Sequence, residues 1–373
     1  MVEKLIKYGA LALAALALYF VVTRLTGNPK GLLPLPYALS PASEGIQLDA
    51  PVLIVGDRMG ARFGLFKENL ALNLSVGLSK PIQIQSIARE GFGLHRTLRQ
   101  LQSLVKWPKV LLYQGGSEEF REIKFRTDQI PVIRHNFDLY TNDRAMTAMM
   151  VWPFLSRLIY TPVQRIKLGD QVGEASKKIP SDYEYQQRLE LTYRIYELEL
   201  LELVKAAREN KSLLILITAP VNLDVAPRRT CSNAGSALID REVKQIREKI
   251  RNQDYKGAYA QSKVLNDGTL ANAEVLYLHG QVAYRSGFVA EAVDSLKKAS
   301  AYDCEGWRAN EVINSIIRKV AQEQRVTLFD FAAMMDRDWN VNVTFFDEFY
   351  PQNLYYEKAM KYLAVVLKRI LKL

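Results

Sequence analysis

The chain has 373 residues, 49% of them hydrophobic and 24% charged, enough to bury a substantial core in one large or two moderate domains. Fifty Lys and Arg against 40 Asp and Glu leave a net charge of +10. No Lys/Arg block gathers that charge into a stripe, which argues against nucleic-acid binding and for a general surface charge drawn to an anionic envelope.

Lys4 and Lys7 precede an apolar run, Tyr8–Val22, that Leu25 extends. At ~1.5 Å per residue this run reaches roughly 23–27 Å, close to a membrane span. Small residues suited to signal cleavage do not follow it, so residues 1–27 read as an uncleaved signal-anchor transmembrane helix rather than a cleaved signal peptide. The two lysines keep the amino end inside and send the remainder across the membrane. Residues 28–48 carry Pro29, Pro34, Pro36 and Pro41 and read as a semi-rigid linker.

Val52–Val55 is an uninterrupted apolar strand that breaks into Gly56-Asp57-Arg58-Met59-Gly60, and a helical stretch follows around Leu65–Gly77. Ile82–Ile87 reads as a second strand leading into Arg89-Glu90-Gly91-Phe92-Gly93. A helix then runs from Leu94 to Val105, ended by Trp107-Pro108. Val110–Tyr113 is a third strand, followed by the turn Gln114-Gly115-Gly116-Ser117-Glu118-Glu119. Within residues 120–182, the apolar pieces Met149–Leu158 and Tyr160–Ile166 fit either a partner surface or the core of an extra helix. Tyr183–Asn210 has strong helical periodicity, and Leu213–Thr218 is a fourth strand broken by Ala219-Pro220. Asn310–Gln324 reads as a helix, Val326–Asp330 as a fifth strand, Phe345–Pro351 as a loop and Tyr355–Leu373 as the terminal helix. Short, continuously apolar strands alternating with helices predict an α/β fold, a three-layer α/β/α sandwich around a parallel sheet, over residues 49–236 and 303–373.

Residues 237–302 interrupt this pattern with helical periodicity alone. Ala258 and Ala292 lie 34 residues apart, the length of a tetratricopeptide unit. Leu276, Gly280, Tyr284, Gly287, Ala292, Leu296 and Ala299 form the better copy, while Asp254–Ala258 marks a faded one. Too few repeats are present to stand alone, so this small helical insert must lean on the main domain, as a binding groove or as packing. Two cysteines, Cys231 and Cys304, and three scattered histidines lack the spacing of a zinc site or a redox pair. No metal or cofactor is expected. Whether the two cysteines join as a disulfide stays open at this level.

Taken in order, the turns resemble the five blocks of the SGNH (GDSL-type) hydrolase superfamily, over roughly residues 50–373, and most closely its subgroup with tetratricopeptide-like helices before the last block. Val52–Gly60 is similar to the Gly-Asp-Ser block, Gly91 to the oxyanion-hole glycine, and Tyr113–Phe120 to the Gly-x-Asn-Glu-Phe block. Ala219–Pro227 is similar to a Pro-x-Asn-Leu segment and Phe346–Pro351 to Asp-x-x-His-Pro. On that resemblance Arg58 stands at the nucleophile, Ser117 at the oxyanion asparagine and Tyr350 at the base, with only Gly91 and Asp347 as the pattern requires. An arginine stays protonated and cannot attack a carbonyl, and a tyrosine is a poor base at neutral pH. His135 is the histidine best suited to substitute for the base, and Ser117 the serine best suited as a stray nucleophile.

The resemblance therefore implies a catalytically dead, exported protein with no catalytic residues, held by one span in a bacterial inner membrane with its globular part in the periplasm. It would act as a binding or scaffold component of an envelope complex, with protein partners and no nucleic acid. Asp57, Arg58, Gly91, Ser117, Glu118, Asn222, Asp347 and Tyr350 would line the old pocket, either to hold an anionic or sugar-like ligand or, with Arg58 paired to Asp347, to seal it. The competing expectation is an active acyl-ester hydrolase or transferase on envelope glycans or lipids with a non-standard nucleophile.

Overall fold

The computed structural model describes residues 8–9, 13–17, 45–76, 81–122, 124–151, 155, 181–231, 237–269, 272–339 and 343–371. In chain order the elements are β1 (Val52–Gly56), α1 (Arg58–Gly64), α2 (Lys67–Ser75), β2 (Ile84–Ser86), α3 (Leu94–Gln102), β3 (Val110–Gln114), α4 (Ile130–Tyr140) and α5 (Asp143–Val151). Then follow α6 (Asp182–Glu209), β4 (Leu213–Ile217), α7 (Ala237–Arg251), α8 (Tyr255–Gly268), α9 (Ala273–Arg285), α10 (Val289–Ala301), α11 (Glu311–Glu323), β5 (Thr327–Phe329), α12 (Phe331–Asp336) and α13 (Asn353–Leu371). They divide between two compact units, residues 1–38 with 123–175, and residues 39–122 with 176–373.

The larger unit is an α/β fold around five parallel strands in the order β2-β1-β3-β4-β5. Val52 is in register with Ile84 on one side and Val110 on the other, and Val110 with Leu213 in turn. Successive side chains of a strand point to opposite faces, so a strand covered on both must be apolar at every position. β1 meets this requirement. Val52 and Ile54 join Val110, Leu112 and Ile215 in a core closed by Phe63, Leu70, Phe331 and Tyr356. Leu53 and Val55 join Leu111 and Leu216 in the opposite core, closed by Leu98, Leu203 and Ile317.

Edge strands are shorter than their apolar runs suggest. β2 occupies Ile84–Ser86 within the expected Ile82–Ile87, and β5 Thr327–Phe329 within Val326–Asp330. Each has a neighbour on one side only, and most of their residues are half-buried. The expected helix through Val105 stops at Gln102, because Ser103–Val105 turns to bond the chain at Ile46 (Ile46 N to Ser103 O, 2.8 Å; Val105 N to Ile46 O, 3.2 Å). The helix expected from Leu65 begins at Arg58, capped by the Asp57 carboxylate, and breaks once before α2. Gly60 hides that early start. It lowers helix propensity, yet a Cβ there would lie 2.7 Å from the Gln114 carbonyl of β3, so the close contact of α1 with the sheet requires glycine.

The long α6 opens with a reciprocal cap, Ser181 N donating to Glu184 Oε2 (2.7 Å) and Glu184 N to Ser181 Oγ (3.3 Å). Between β4 and α11 the chain forms four helices, α7–α10, each packed on the next in sequence. The expected faded first repeat is thus two whole helices; its charged face along α7 obscured the pattern. Gly280 brings α9 against α10, where a Cβ would fall 2.6 Å from Leu296 Cγ. Cys231 and Cys304 form a disulfide that closes the base of this insert.

In the smaller unit, α4 and α5 pack on each other. Residues 8–9 and 13–17 are helical and exposed, and no helix of the described residues is long and apolar enough to cross a membrane. The remainder of the expected anchor, most of the 28–48 linker and most of the Met149–Leu158 and Tyr160–Ile166 pieces lie outside the described residues.

Candidate functional site

The strand order reverses direction between β1 and β3. In an open parallel sheet the carboxyl ends flanking such a reversal are where ligands and catalytic groups gather. β1 ends in Gly56, whose φ of +136° and Cβ position only 1.7 Å from Gln114 O admit no side chain. The chain then turns through Asp57 into α1. β3 ends in Gln114 and turns through Gly116, at φ +107°, into Ser117-Glu118-Glu119.

Asp57 ties the two turns together. Its Oδ1 accepts from Met59 N (2.8 Å), and its Oδ2 from Ser117 N (2.6 Å), Ser117 Oγ (2.8 Å) and Glu118 N (3.1 Å). Burial pushes its carboxyl up to about 6 in spite of these donors, which favour the charged form.

Arg58 follows, and it is buried, with 5% of its surface exposed. Its guanidinium Nε donates to the Glu118 carboxylate, itself 1% exposed. Glu90, on the turn that carries Gly91, lies 3.7 Å from the same guanidinium, and the Phe349 ring covers it at 4.6 Å. Burial opposes the charge, but the hydrogen bond and charge of Glu118 outweigh it and hold the guanidinium more firmly protonated than usual. The expected pairing of Arg58 with Asp347 is not what forms. Asp347 Oδ1 accepts from Phe349 N (2.8 Å) and Tyr350 N (2.7 Å), fixing its own tight turn. Glu118 lies on the turn after β3, the strand paired with β1, and so it reaches Arg58 first.

The remaining candidates are brought to the same end of the sheet in supporting roles. Gly91 sits at φ +78° on an exposed turn that is tied to β1 by Arg89 N to Gly56 O (3.0 Å). Asn222 Nδ2 donates to Asp347 O (2.9 Å). Tyr350 packs on Met59, Ala219 and Ala309, and its phenol is pushed up by burial. Three residues that the sequence did not single out complete the arrangement: Glu119 accepts from Leu94 N (2.7 Å), Glu122 pairs with Arg96 (2.7 Å), and Phe349 lids Arg58. The run of acids after Gly116 was the signal for the first two. A residue-type pattern for an aromatic lid does not exist.

Ser117 is 1% exposed and bonds the Asp57 carboxylate rather than an imidazole. His135 is exposed on α4, in the other unit, and His95 is buried in α3. His279 does lie in a serine–histidine–glutamate chain, with Ser262 Oγ 2.9 Å from Nδ1 and Glu291 Oε1 3.0 Å from Nε2. Ser262 is fully buried within α8 and donates to Tyr259 O (3.0 Å), so this chain staples α8, α9 and α10 and presents no nucleophile to solvent. Among the described residues no group of three or more His, Cys, Asp or Glu is placed to hold a metal ion. Two cavities lie away from Arg58. One of about 1490 Å³ opens between α6 and the insert, lined by Leu189, Leu238, Val264 and Tyr302, and a second of about 820 Å³ lies beside α7.

No family model, curated protein or solved structure matches this chain. The functional reading therefore rests on the site.

Proposed function

We propose that this chain is a degenerate SGNH-type hydrolase, a three-layer α/β/α domain with a tetratricopeptide-like insert, that has lost catalysis and works by binding. The observation that carries the reading is Arg58, buried at the turn where that superfamily has its nucleophilic serine and neutralised there by Glu118. A nucleophile must reach substrate and have a base beside it. Arg58 is buried and held protonated by Glu118, so it cannot attack, and the Phe349 ring covers its guanidinium. Sealing by a buried ion pair is preferred to ligand binding in the old pocket, since an incoming anion would have to displace Glu118. On this reading the chain is anchored in a bacterial inner membrane, with its globular part in the periplasm. The apolar cavity between α6 and the insert is then the surface offered to a protein partner of an envelope complex.

One observation favours the active alternative, the Ser117 hydroxyl on the Asp57 carboxylate. A fluorogenic short-chain ester assay on the full chain separates the two readings. No turnover above buffer is expected; turnover abolished by Ser117→Ala would replace the binding reading with the enzymatic one.

A further inference from the structure

The insert borders a second cavity, separate from the one beside α6 and from the Arg58 site. A cleft of about 820 Å³ lies between the 226–230 segment and helices α7 and α9, within the size range of small-ligand sites. Its described lining holds four cations, Arg228, Lys244, Arg247 and Arg251, and one acid, Glu274.

Local pairing does not cancel this charge. Glu274 is taken by Arg247 (2.5 Å), and Glu348, from outside the cleft, by Arg228 (2.9 Å). Lys244 and Arg251 have no acidic partner among the described residues. They are exposed and seven positions apart on α7, with Arg247 between them, so the three cations climb one face of the helix at a rise of ~1.5 Å per residue, over roughly 10 Å. Behind the opposite wall Arg308 is buried, and its hydrogen bonds go only to carbonyls, Asn222 O (2.7 Å) and Val225 O (3.0 Å). The nearby carboxylates of Asp303 and Glu348 offset part of its charge, so Arg308 acts on this wall by holding its carbonyls in place.

The 222–231 wall is rigid before any ligand arrives. Asp303 accepts from Arg228 N (3.0 Å) and Arg229 N (3.1 Å), Tyr277 Oη donates to Asp224 O (2.6 Å), and the disulfide pins Cys231. Arg228 itself lies over the Trp307 ring at 3.7 Å. Little ordering is left to oppose binding. The rest of the lining mixes apolar surface, Pro227 and Ile250, with the neutral polar groups of Thr230, Tyr277 and Gln281.

We propose that this cleft binds an oxyanion-bearing sugar, with its charged groups against Lys244, Arg251 and Arg228 and its ring against Pro227 and Ile250. Paired cations suit carboxylate or phosphate oxygens. Neutral hydroxyl and amide groups suit sugar hydroxyls, and the apolar patch suits the C–H face of a ring. The concavity keeps out a flat bilayer. This inference is independent of whether the Arg58 site is catalytic.

The test is calorimetric titration of the full chain with trigalacturonate, glucose 1-phosphate and uncharged maltotriose, and cosedimentation with phosphatidylglycerol vesicles. At least one of the two acidic sugars should bind saturably and at least about tenfold more tightly than maltotriose; which one does identifies the oxyanion. The double variant Lys244→Gln/Arg251→Gln, both positions being exposed and unpaired, should weaken that binding about tenfold or more with an unchanged melting temperature. Failure of both acidic sugars, equal binding of maltotriose, binding undiminished in the double variant, or association with vesicles alone would each overturn the proposal.

Discussion

Removing one partner of the Arg58–Glu118 pair should cost far more stability than removing both. Neither side chain has appreciable contact with water, so Arg58→Ala leaves the Glu118 carboxylate buried, with only the exposed Arg121 at 3.5 Å to compensate. Stranding a buried charge in this way costs about 3–5 kcal/mol, and loss of the guanidinium from the Phe349 face adds up to about 1 kcal/mol. Glu118→Ala strands Arg58 beside the exposed Glu90 and should cost a similar amount. The double variant Arg58→Leu/Glu118→Leu removes both charges and fills most of their volume, so it should lie within about 1–2 kcal/mol of the wild type. Urea unfolding of the four proteins, read as midpoint and slope, compares the single losses with the paired replacement. Single variants that each cost less than about 1 kcal/mol would mean that water reaches the pair, and the proposed sealing of this site would fail with it.

Asp57 predicts a pH dependence. Its carboxyl is raised in the folded chain to about 6 from an ordinary value of 3.8, so the native state binds the extra proton and stability falls as pH rises through this window. Two pH units at ~1.4 kcal/mol each make this contribution roughly 3 kcal/mol, largest below pH 4 and lost above pH 6. The slope should be absent in Asp57→Asn when unfolding is followed from pH 4 to 7. Reducing the disulfide releases a span of 73 residues and should lower stability by about 4 kcal/mol on loop-entropy grounds, read as a fall in melting temperature with dithiothreitol. Gly56→Ala should prevent accumulation of folded protein, because its Cβ would overlap the Gln114 carbonyl, whereas Gly91→Ala, facing open space at φ +78°, should cost only about 1–2 kcal/mol. Comparable expression and melting temperatures for the two glycine variants would refute the close β1–β3 crossing at the site.

The sheet was legible because covering a parallel strand on both faces forces every position to be apolar, which Val52–Val55 and Leu213–Ile217 display directly. Edge strands were legible only as places, since Gln85 and Ser86 carry no such constraint. At the site, Gly56, Asp57 and Ser117 could be read as turn chemistry, and the structure brings those turns together. Arg58's partner could not be read. Asp347 and Glu118 are equally acidic in sequence, and the choice follows from strand adjacency, which residue type does not encode. Likewise α12 went unseen, being a single short run after Asp330, whose carboxylate caps it by accepting from Ala333 N (3.0 Å).

The placement of the insert has a kinetic consequence. β4 must wait for β5 while the chain runs from Ile217 to Thr327, so their pairing closes the longest loop between neighbouring strands of the sheet. Closing so long a loop slows folding. The four helices of the insert make local contacts and can form early, and Cys231 and Cys304 then shorten the path between β4 and β5. Oxidation would in this way convert a distant strand pair into a near one, so the oxidised chain should refold measurably faster than the reduced chain. Equal rates would show that the insert assembles only after β5 has docked.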